Sequence, residues 1–516
     1  MPDTAIAWFR QDLRTHDNEA LVAAAAADRV LPVYCVDPRT HGMQPYGGAD
    51  PFHYEKLGAR RARFRRESLE ALRDRLREAG SDLLVRRGRP EVVLPDIAGA
   101  VDADVVTFHD LPGPDERTVR AAVTAALRER GVTPRRFWGR TLHHIADLPT
   151  PYTAISDTYT KFRKSVEADA TVRETYPRPS LPPVPSGDDA GVDADAVRPG
   201  SIPGVGVASG SSGSPDAELG AGEDTGTDED TGTDEDTAEI DERAVHPFLG
   251  GEDAALARLT SYIWEGDHLR EYRETRNGLV GPDYSSKFSP WLNEGSLSPR
   301  RVYEEVKRYE RERVSNDSTY WLLFELRWRD FFQFQLAKHG AKFFAPGGLR
   351  RRDDVDWRWD EQEFERWRTG QTGIPFVDAN VRELNATGYL SNRGRQNVAS
   401  FLVNDLKIDW RRGAAYFETE LLDYDPGSNY GNWAYIAGVG NDSRQRAFDV
   451  LAQAHQYDPK AEYVTRWIPE LDGLVPQKAH EPWTLSEAEQ ARYGVELGVD
   501  YPRPMIDPTT SGEDPV

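Results

Sequence analysis

The sequence predicts two units of different class: an α/β N-terminal domain with a Rossmann-like parallel five-stranded sheet, and an all-α C-terminal domain. Three observations carry this. Before residue 140, short apolar runs alternate with helical patterns, the signature of a parallel sheet covered on both faces. Between 182 and 246 the composition shifts to Gly, Ser, Pro, Asp and Thr. From about 248, Trp, Tyr and Phe become dense and helical periodicity persists to about 457.

The strands are expected at 4–9, 31–37, 82–86, 104–108 and 134–138. The helices between them are expected at about 18–27, 56–79, 91–99 and 115–130. No Gly-x-Gly-x-x-Gly follows the first strand, so a dinucleotide fingerprint is missing there. The loop reads Phe9-Arg10-Gln11-Asp12-Leu13-Arg14-Thr15-His16-Asp17-Asn18 instead. The division that follows is 1–140 as the α/β domain and 141–181 as a connector with one helix near Tyr159 to Val166. Residues 182–246 read as a disordered acidic linker, 247–483 as the helical domain and 484–516 as a loose, proline-dotted tail. Within the helical domain, helices are expected at 301–312, 318–338 and 396–408.

Charge and cysteine content bound the function. Cys35 is the only cysteine, which excludes an internal disulfide and a Cys-based metal cluster; no metal is expected. The formal charge is −23, and residues 182–246 account for −15 of it. The remainder is still acidic, and arginine far outnumbers lysine, a balance that a high-salt cytoplasm would select, although a GC-rich genome would also favour arginine. Any nucleic-acid partner must therefore be held by a local basic rim. No run approaches eighteen apolar residues, and Asp3, Arg10 and Asp12 break any signal-peptide pattern, so a cytoplasmic protein without membrane association is expected.

Four segments of the helical domain are too polar and specific to be packing alone. Tyr272 to Gly278 leads to the hydroxyl-rich Ser285-Ser286-Lys287-Phe288-Ser289. Such a loop holds phosphate oxygens or, equally, caps the next helix. In Trp321 to Phe332, Glu325 and Arg329 share a helix face beside Trp328, and a carboxylate in so apolar a run needs a partner or ligand. Asn392-Arg393-Gly394-Arg395-Gln396-Asn397 precedes an apolar helix. Asp423-Tyr424-Asp425 and Asn429 to Trp433 form the fourth segment, whose aspartates serve a ligand, a basic partner or a turn.

These segments, in this order and together with the Phe9–Asn18 loop and Pro32-Val33-Tyr34, resemble the DNA photolyase/cryptochrome family, most closely its cryptochrome DASH branch. The resemblance implies FAD bent into a U. It places Tyr272 and Ser285, Ser286, Lys287, Phe288 and Ser289 on the phosphates and ribityl chain. Glu325, Arg329, Phe332, Asn392, Arg393 and Arg395 line the flavin side. Asp423 pairs with Arg395, Asp425 contacts the flavin or adenine side, and Asn429 faces flavin N5. Trp433, Trp410 and Trp357 match an electron-transfer chain, with Trp359 and Trp367 as alternatives for its outer member. Glu325, Trp328 and Asn392 would hold a cyclobutane pyrimidine dimer. Gln396 and Tyr435 stand where double-strand photolyases use methionine and tryptophan, which implies single-stranded DNA as partner; a monomer is expected. Arg276, Lys287, Arg393 and Arg444 are candidates for the basic rim, with Arg276 at a DNA-contact position. Glu116 matches the acidic residue of an antenna site, in this branch usually for 5,10-methenyltetrahydrofolate.

Three functions compete on these terms. The first is light-driven repair of dimers. The second is a photoreceptor without repair, which would not need the Glu325, Trp328 and Asn392 trio. The third is a light-independent flavin oxidoreductase, for which no nicotinamide fingerprint is present.

Overall fold

The computed structural model describes residues 2–47, 51–186, 192–193, 195, 197–202, 239–352, 354–442 and 446–511. Strands β1 (Thr4–Phe9), β2 (Arg29–Val36), β3 (Leu84–Arg87), β4 (Val105–His109) and β5 (Thr133–Phe137) form one parallel sheet in the order β3-β2-β1-β4-β5. Register sets Ile6 against Leu31 on one side and Val106 on the other.

Every residue of β1 and β4 is buried, because helices cover both faces. Alternation along β1 divides the core. Ile6 and Trp8 pack with Ile97 and Leu127, while Ala5, Ala7 and Phe9 pack with Leu69, Leu72 and Leu76. The edge strand β5 reads Thr-Pro-Arg-Arg-Phe and is mostly exposed; its proline and arginines discourage further pairing.

The other edge is covered by residues expected to be linker alone. The Pro199 carbonyl accepts from the Val85 amide at 2.8 Å, and Arg73 donates to the Gly200 carbonyl at 2.8 Å. Val192, Val197 and Ile202 pack against the two sheet cores. These few branched residues, with carbonyls that satisfy an open sheet edge, give this short stretch reason to order. Residues 203–238, with the Glu-Asp-Thr-Gly-Thr-Asp repeat, lie outside the described residues.

The helical unit is built around the 23-residue helix Asp317–His339, which packs on Pro426–Ile436. Its N-terminus carries a capping box between Asn316 and Thr319. The helix expected over 396–408 starts earlier, at Asn392, and passes into a π-turn at Phe401–Asp405. The stretch after 484 is not a loose tail. Leu485, Val495, Leu497 and Tyr501 are buried, and the Tyr501 hydroxyl donates to Asp378 at 2.5 Å. Polar composition misleads there because four apolar residues, spaced widely in sequence, all reach the helical core.

The Phe9–Asn18 loop joins the two units. Asp17 pairs with Arg300 at 2.6 Å, with both side chains buried, and Glu252 accepts from the Thr15 amide at 2.7 Å. Arg14 donates to the Gly295 carbonyl at 2.7 Å. The polar residues of this loop thus fasten the sheet domain to the helical one. Among the described residues, no helix is long and apolar enough to cross a membrane.

Candidate functional site

The four polar segments converge on one cavity of about 500 Å³ within the helical unit. That volume is in the range of sites that enclose a cofactor. Its lining includes Tyr272, Ser285, Ser286, Lys287, Phe288, Ser289, Glu325, Trp328, Arg329, Phe332, Asn392, Arg395, Gln396, Asp423, Asp425, Asn429, Trp433 and Tyr435, together with Arg276.

Part of the lining is polar and cationic. Lys287 adopts left-handed backbone geometry, with φ 60°, and its side chain is almost fully buried. Its Nζ lies 3.0 Å from the Ser285 hydroxyl and 2.9 Å from the Tyr284 ring centroid. Burial pushes the ammonium well below the usual lysine range, and Glu383 and Asp283 oppose this only from a distance. Among the described residues, Lys287 has no carboxylate within ion-pair reach. A buried cation facing a cavity without a counter-ion calls for an anionic ligand. Three serine hydroxyls, those of Ser285, Ser286 and Ser289, line the cavity with Lys287, a set that suits a phosphate group. Lys287 is therefore a cavity-floor residue and not part of an exposed basic rim.

Farther along, Arg395 pairs with Asp423 at 2.8 Å and donates through Nε to the Leu390 carbonyl at 2.9 Å. Asp423 Oδ1 and Gln396 Oε1 are buried acceptors without a protein donor. Both suit a ligand that brings N–H or O–H groups, as a flavin and its ribityl chain do. Asn429 lines the wall with its amide donating to the Ala414 carbonyl at 2.9 Å.

Asp425 lies on the wall, but its oxygens serve the protein. Oδ1 caps the Pro426–Ile436 helix through the Ser428 amide at 2.7 Å, and Oδ2 accepts from Arg140 at 2.8 Å and Gln333 at 2.6 Å. Burial raises this carboxyl, yet Arg140 and Arg329 outweigh burial and hold it at about 2. Arg329 likewise spends its donors on the Arg140 and Leu292 carbonyls. Burial, reinforced by Arg140, lowers its guanidinium to about 10.

Glu325 and Arg329 share a helix face, but no ion pair joins them among the described residues. Glu325 instead pairs with Arg276, at 2.6 Å. Burial pushes the Glu325 carboxyl up, and Arg276 opposes it. Trp328, Phe332, Tyr435 and, at an exposed position, Asn392 line the same cavity as this pair. The Trp328 and Phe332 centroids are 5.7 Å apart, and those of Phe332 and Tyr435 are 5.6 Å apart.

Helix geometry explains which residues of 392–400 take part. Asn392, Arg395, Gln396 and Ala399 line the cavity, an i, i+3, i+4, i+7 stripe. Arg393 falls off that stripe. It stacks 4.5 Å from the Tyr457 ring centroid and donates to Gln453 at 3.2 Å, so its expected place on the flavin is not observed. Arg444 lies outside the described residues.

Trp433 lines the cavity, while Trp410 and Trp357 lie behind it. The latter two both donate to the Pro346 carbonyl, each at 3.1 Å, which holds them side by side. Gly413 is required here, since a Cβ would stand 2.3 Å from the Trp433 ring. Of the alternative outer residues, Trp367 is buried with its centroid 6.3 Å from that of Trp433. Trp359 is exposed but carries the Arg412 guanidinium at 3.6 Å from its ring centroid. A cation so close opposes removal of an electron from that indole. Phe417, with its centroid 5.1 Å from that of Trp433, also lines the cavity, and nothing in the sequence distinguishes it from an ordinary core phenylalanine.

Glu116 is outside this cavity, in the first turn of the helix Pro114–Glu129 that follows β4. Burial raises its carboxyl, and Arg10 and Lys56 oppose this. The strand order reverses at β1, so Arg10, which follows β1, stands at the switch point where doubly wound sheets take ligands.

A parallel-sheet domain fastened to a helical domain that encloses this cavity defines a two-domain FAD flavoprotein. Residues 5–185 match the family described as DNA photolyase, and residues 321–514 match the FAD binding domain of DNA photolyase. A cryptochrome DASH of Natronomonas pharaonis is 54% identical over 98% of this chain and 98% of its own length. A crystal structure of a Synechocystis cryptochrome, 44% identical, superposes with a TM-score of 0.86 over 99% of this chain and 98% of that one. A bacterial class III photolyase from Agrobacterium tumefaciens, 29% identical, superposes with a TM-score of 0.80 over 99% and 96%. The chain belongs to the DNA photolyase/cryptochrome family, in its cryptochrome DASH branch.

Proposed function

We propose that this protein is a light-driven repair enzyme for cyclobutane pyrimidine dimers in single-stranded DNA, working as a cytoplasmic monomer. The observation that carries the reading is that Glu325, Trp328 and Asn392 line the same cavity as Lys287 and Asp423, the residues suited to FAD. Reduced FAD held there would supply light-driven one-electron chemistry, with the electron returned once the dimer has split.

The protein's part is to bind, orient and stabilise. Trp328 offers an aromatic platform to an extruded base, which reaches the cavity only after leaving its stack. Glu325, kept in a partly desolvated pocket by its own helix, hydrogen-bonds the dimer and stabilises charge that develops on it. Arg276 beside it is positioned to contact a strand phosphate. Asn392, at the exposed position, orients the lesion. Gln396 and Tyr435 make a more polar, smaller platform than methionine and tryptophan would. Less free energy is then available to open a duplex, which favours single strands. Trp433, Trp410 and Trp357 pass electrons inward to restore the reduced flavin. Glu116 and Arg10, at the switch point of the sheet, are the residues that would hold a folate antenna.

The test is illumination of the fully reduced protein with dimer-containing single and double strands. Dimer splitting well above the duplex rate on single strands is the expected result. Equal rates on intact duplex would overturn the strand preference, and no splitting on either form would favour a photoreceptor.

A further inference from the structure

The connector helix Tyr159–Asp169 sends Tyr159, Phe162 and Val166 into the core of the helical unit, and its first residue backs the cavity wall. The Tyr159 ring lies face to face with the Trp328 indole, with centroids 3.5 Å apart and planes inclined by 13°. No other aromatic pair among the described residues is that close. The Tyr159 hydroxyl donates to the Phe324 carbonyl at 2.8 Å, one turn before Trp328 on the same helix. Phe324 and Phe331 meet the tyrosine ring edge-on, at 5.2 and 5.6 Å, and block its rotation. Tyr159 is itself buried.

One face of Trp328 is therefore covered, and Trp328 lines the cavity with what Tyr159 leaves open. Phe331 abuts the indole edge-on, at 85°. An indole alone on a cavity wall keeps rotamer freedom that a stacking ligand must remove on binding. Here the protein removes it in advance.

We infer that Tyr159 is a positioning residue for substrate: it fixes the Trp328 plane as one layer of a stack whose next layer is the uncharged pyrimidine ring of an extruded dimer. This rests on the repair reading above. It goes further by placing a determinant of lesion binding on the interdomain connector, outside the flavin-binding segments. Its effect must pass through Trp328 alone.

The experiment measures binding of a dimer-containing single-stranded oligonucleotide and repair per absorbed photon, on the FAD-loaded enzyme, for parent, Y159L, Y159F, W328A and the double variant Y159L/W328A. Removing an aromatic stack is expected to weaken dimer binding by about two- to tenfold in Y159L. FAD content, and splitting per photon once dimer is bound, should match the parent, so KM rises while kcat holds. Y159F keeps the ring and should bind within about twofold of the parent. In the W328A background, Y159L should change nothing further, because the route of action is gone. Should Y159L not accumulate as a flavoprotein, Y159H, with a smaller ring, is expected to show the same pattern at reduced size. Parental dimer binding by Y159L, or an equal Y159L effect with and without Trp328, would overturn the inference. If W328A itself binds dimer as the parent does, the repair reading loses its platform, an outcome distinct from failure of the Tyr159 role alone.

Discussion

Replacing Lys287 with methionine should move two properties in opposite directions. Lys287 is buried on the cavity floor with a serine hydroxyl and two tyrosine rings as its company, and with no carboxylate in ion-pair reach among the described residues. Without an anion, that cation costs free energy. With the FAD diphosphate in place, it gains a charge-assisted contact of about 1.5–3 kcal/mol. K287M should therefore weaken FAD binding by roughly ten- to hundredfold. At fixed FAD well above the Kd of both proteins, that shift removes roughly 1.4–2.7 kcal/mol of ligand-linked stability. The FAD-free variant, in contrast, should be at least as stable as the FAD-free parent, since methionine fills similar space without desolvating a charge. The pH response gives a second signature. Burial depresses the folded-state pKa of Lys287 from 10.5, so the folded chain binds fewer protons than the unfolded chain in the window below 10.5. Stability of the FAD-free parent should then rise with pH through that window, and K287M should lose this contribution. Fluorescence titration with FAD and thermal melting with and without FAD, at several pH values, read all three. A K287M protein that binds FAD like the parent but melts lower when FAD-free would refute the phosphate-site reasoning.

Four further outcomes are expected. Trp433→Phe should strongly slow photoreduction of the flavin by blue light and an external reductant, followed by absorbance, and W359F should not; parental rates in W433F would mean that electrons enter elsewhere. Glu325→Ala should lower repair per photon more than it lowers dimer binding, and a loss confined to binding would place Glu325 outside the chemistry. Asp425→Asn breaks a buried pair with Arg140 and should cost about 3–5 kcal/mol in chemical denaturation. Because the Asp425 carboxyl is held at about 2, its contribution is full above pH 3.8 and lost as pH falls through 2, and the variant's acid limb should flatten accordingly. Deleting residues 203–238 should leave FAD content and melting temperature unchanged, whereas a deletion reaching back to 192 should lower the melting temperature, because Val192, Val197 and Ile202 pack against the sheet cores.

The sheet, the central helix and most of the cavity-lining residues were legible in the sequence, because each announces itself locally. A buried parallel strand is a short apolar run. The serine loop, the Asn392 to Asn397 block and the Asp423–Asp425 pair are polar where an apolar pattern is due. What the sequence could not determine is which of two chemically equal partners a side chain meets. Glu325 has Arg329 one turn away, yet it pairs with Arg276, 49 positions earlier, because Arg329 is drawn to the carbonyls of Arg140 and Leu292. Asp425 reads as a ligand contact and serves as a helix cap and interdomain ion pair, since Arg140 arrives from the other domain. Arg393 sits inside a ligand-binding motif and points away, one residue off the stripe that faces the cavity. Tyr159 carries no motif; only the return of the connector onto the Asp317–His339 helix sets its ring against Trp328. Composition and periodicity are sums over neighbours in the chain, and so they determine elements and the kind of chemistry a segment brings. Pairing is decided by distances between segments far apart in the chain, and those exist only once the tertiary structure has formed.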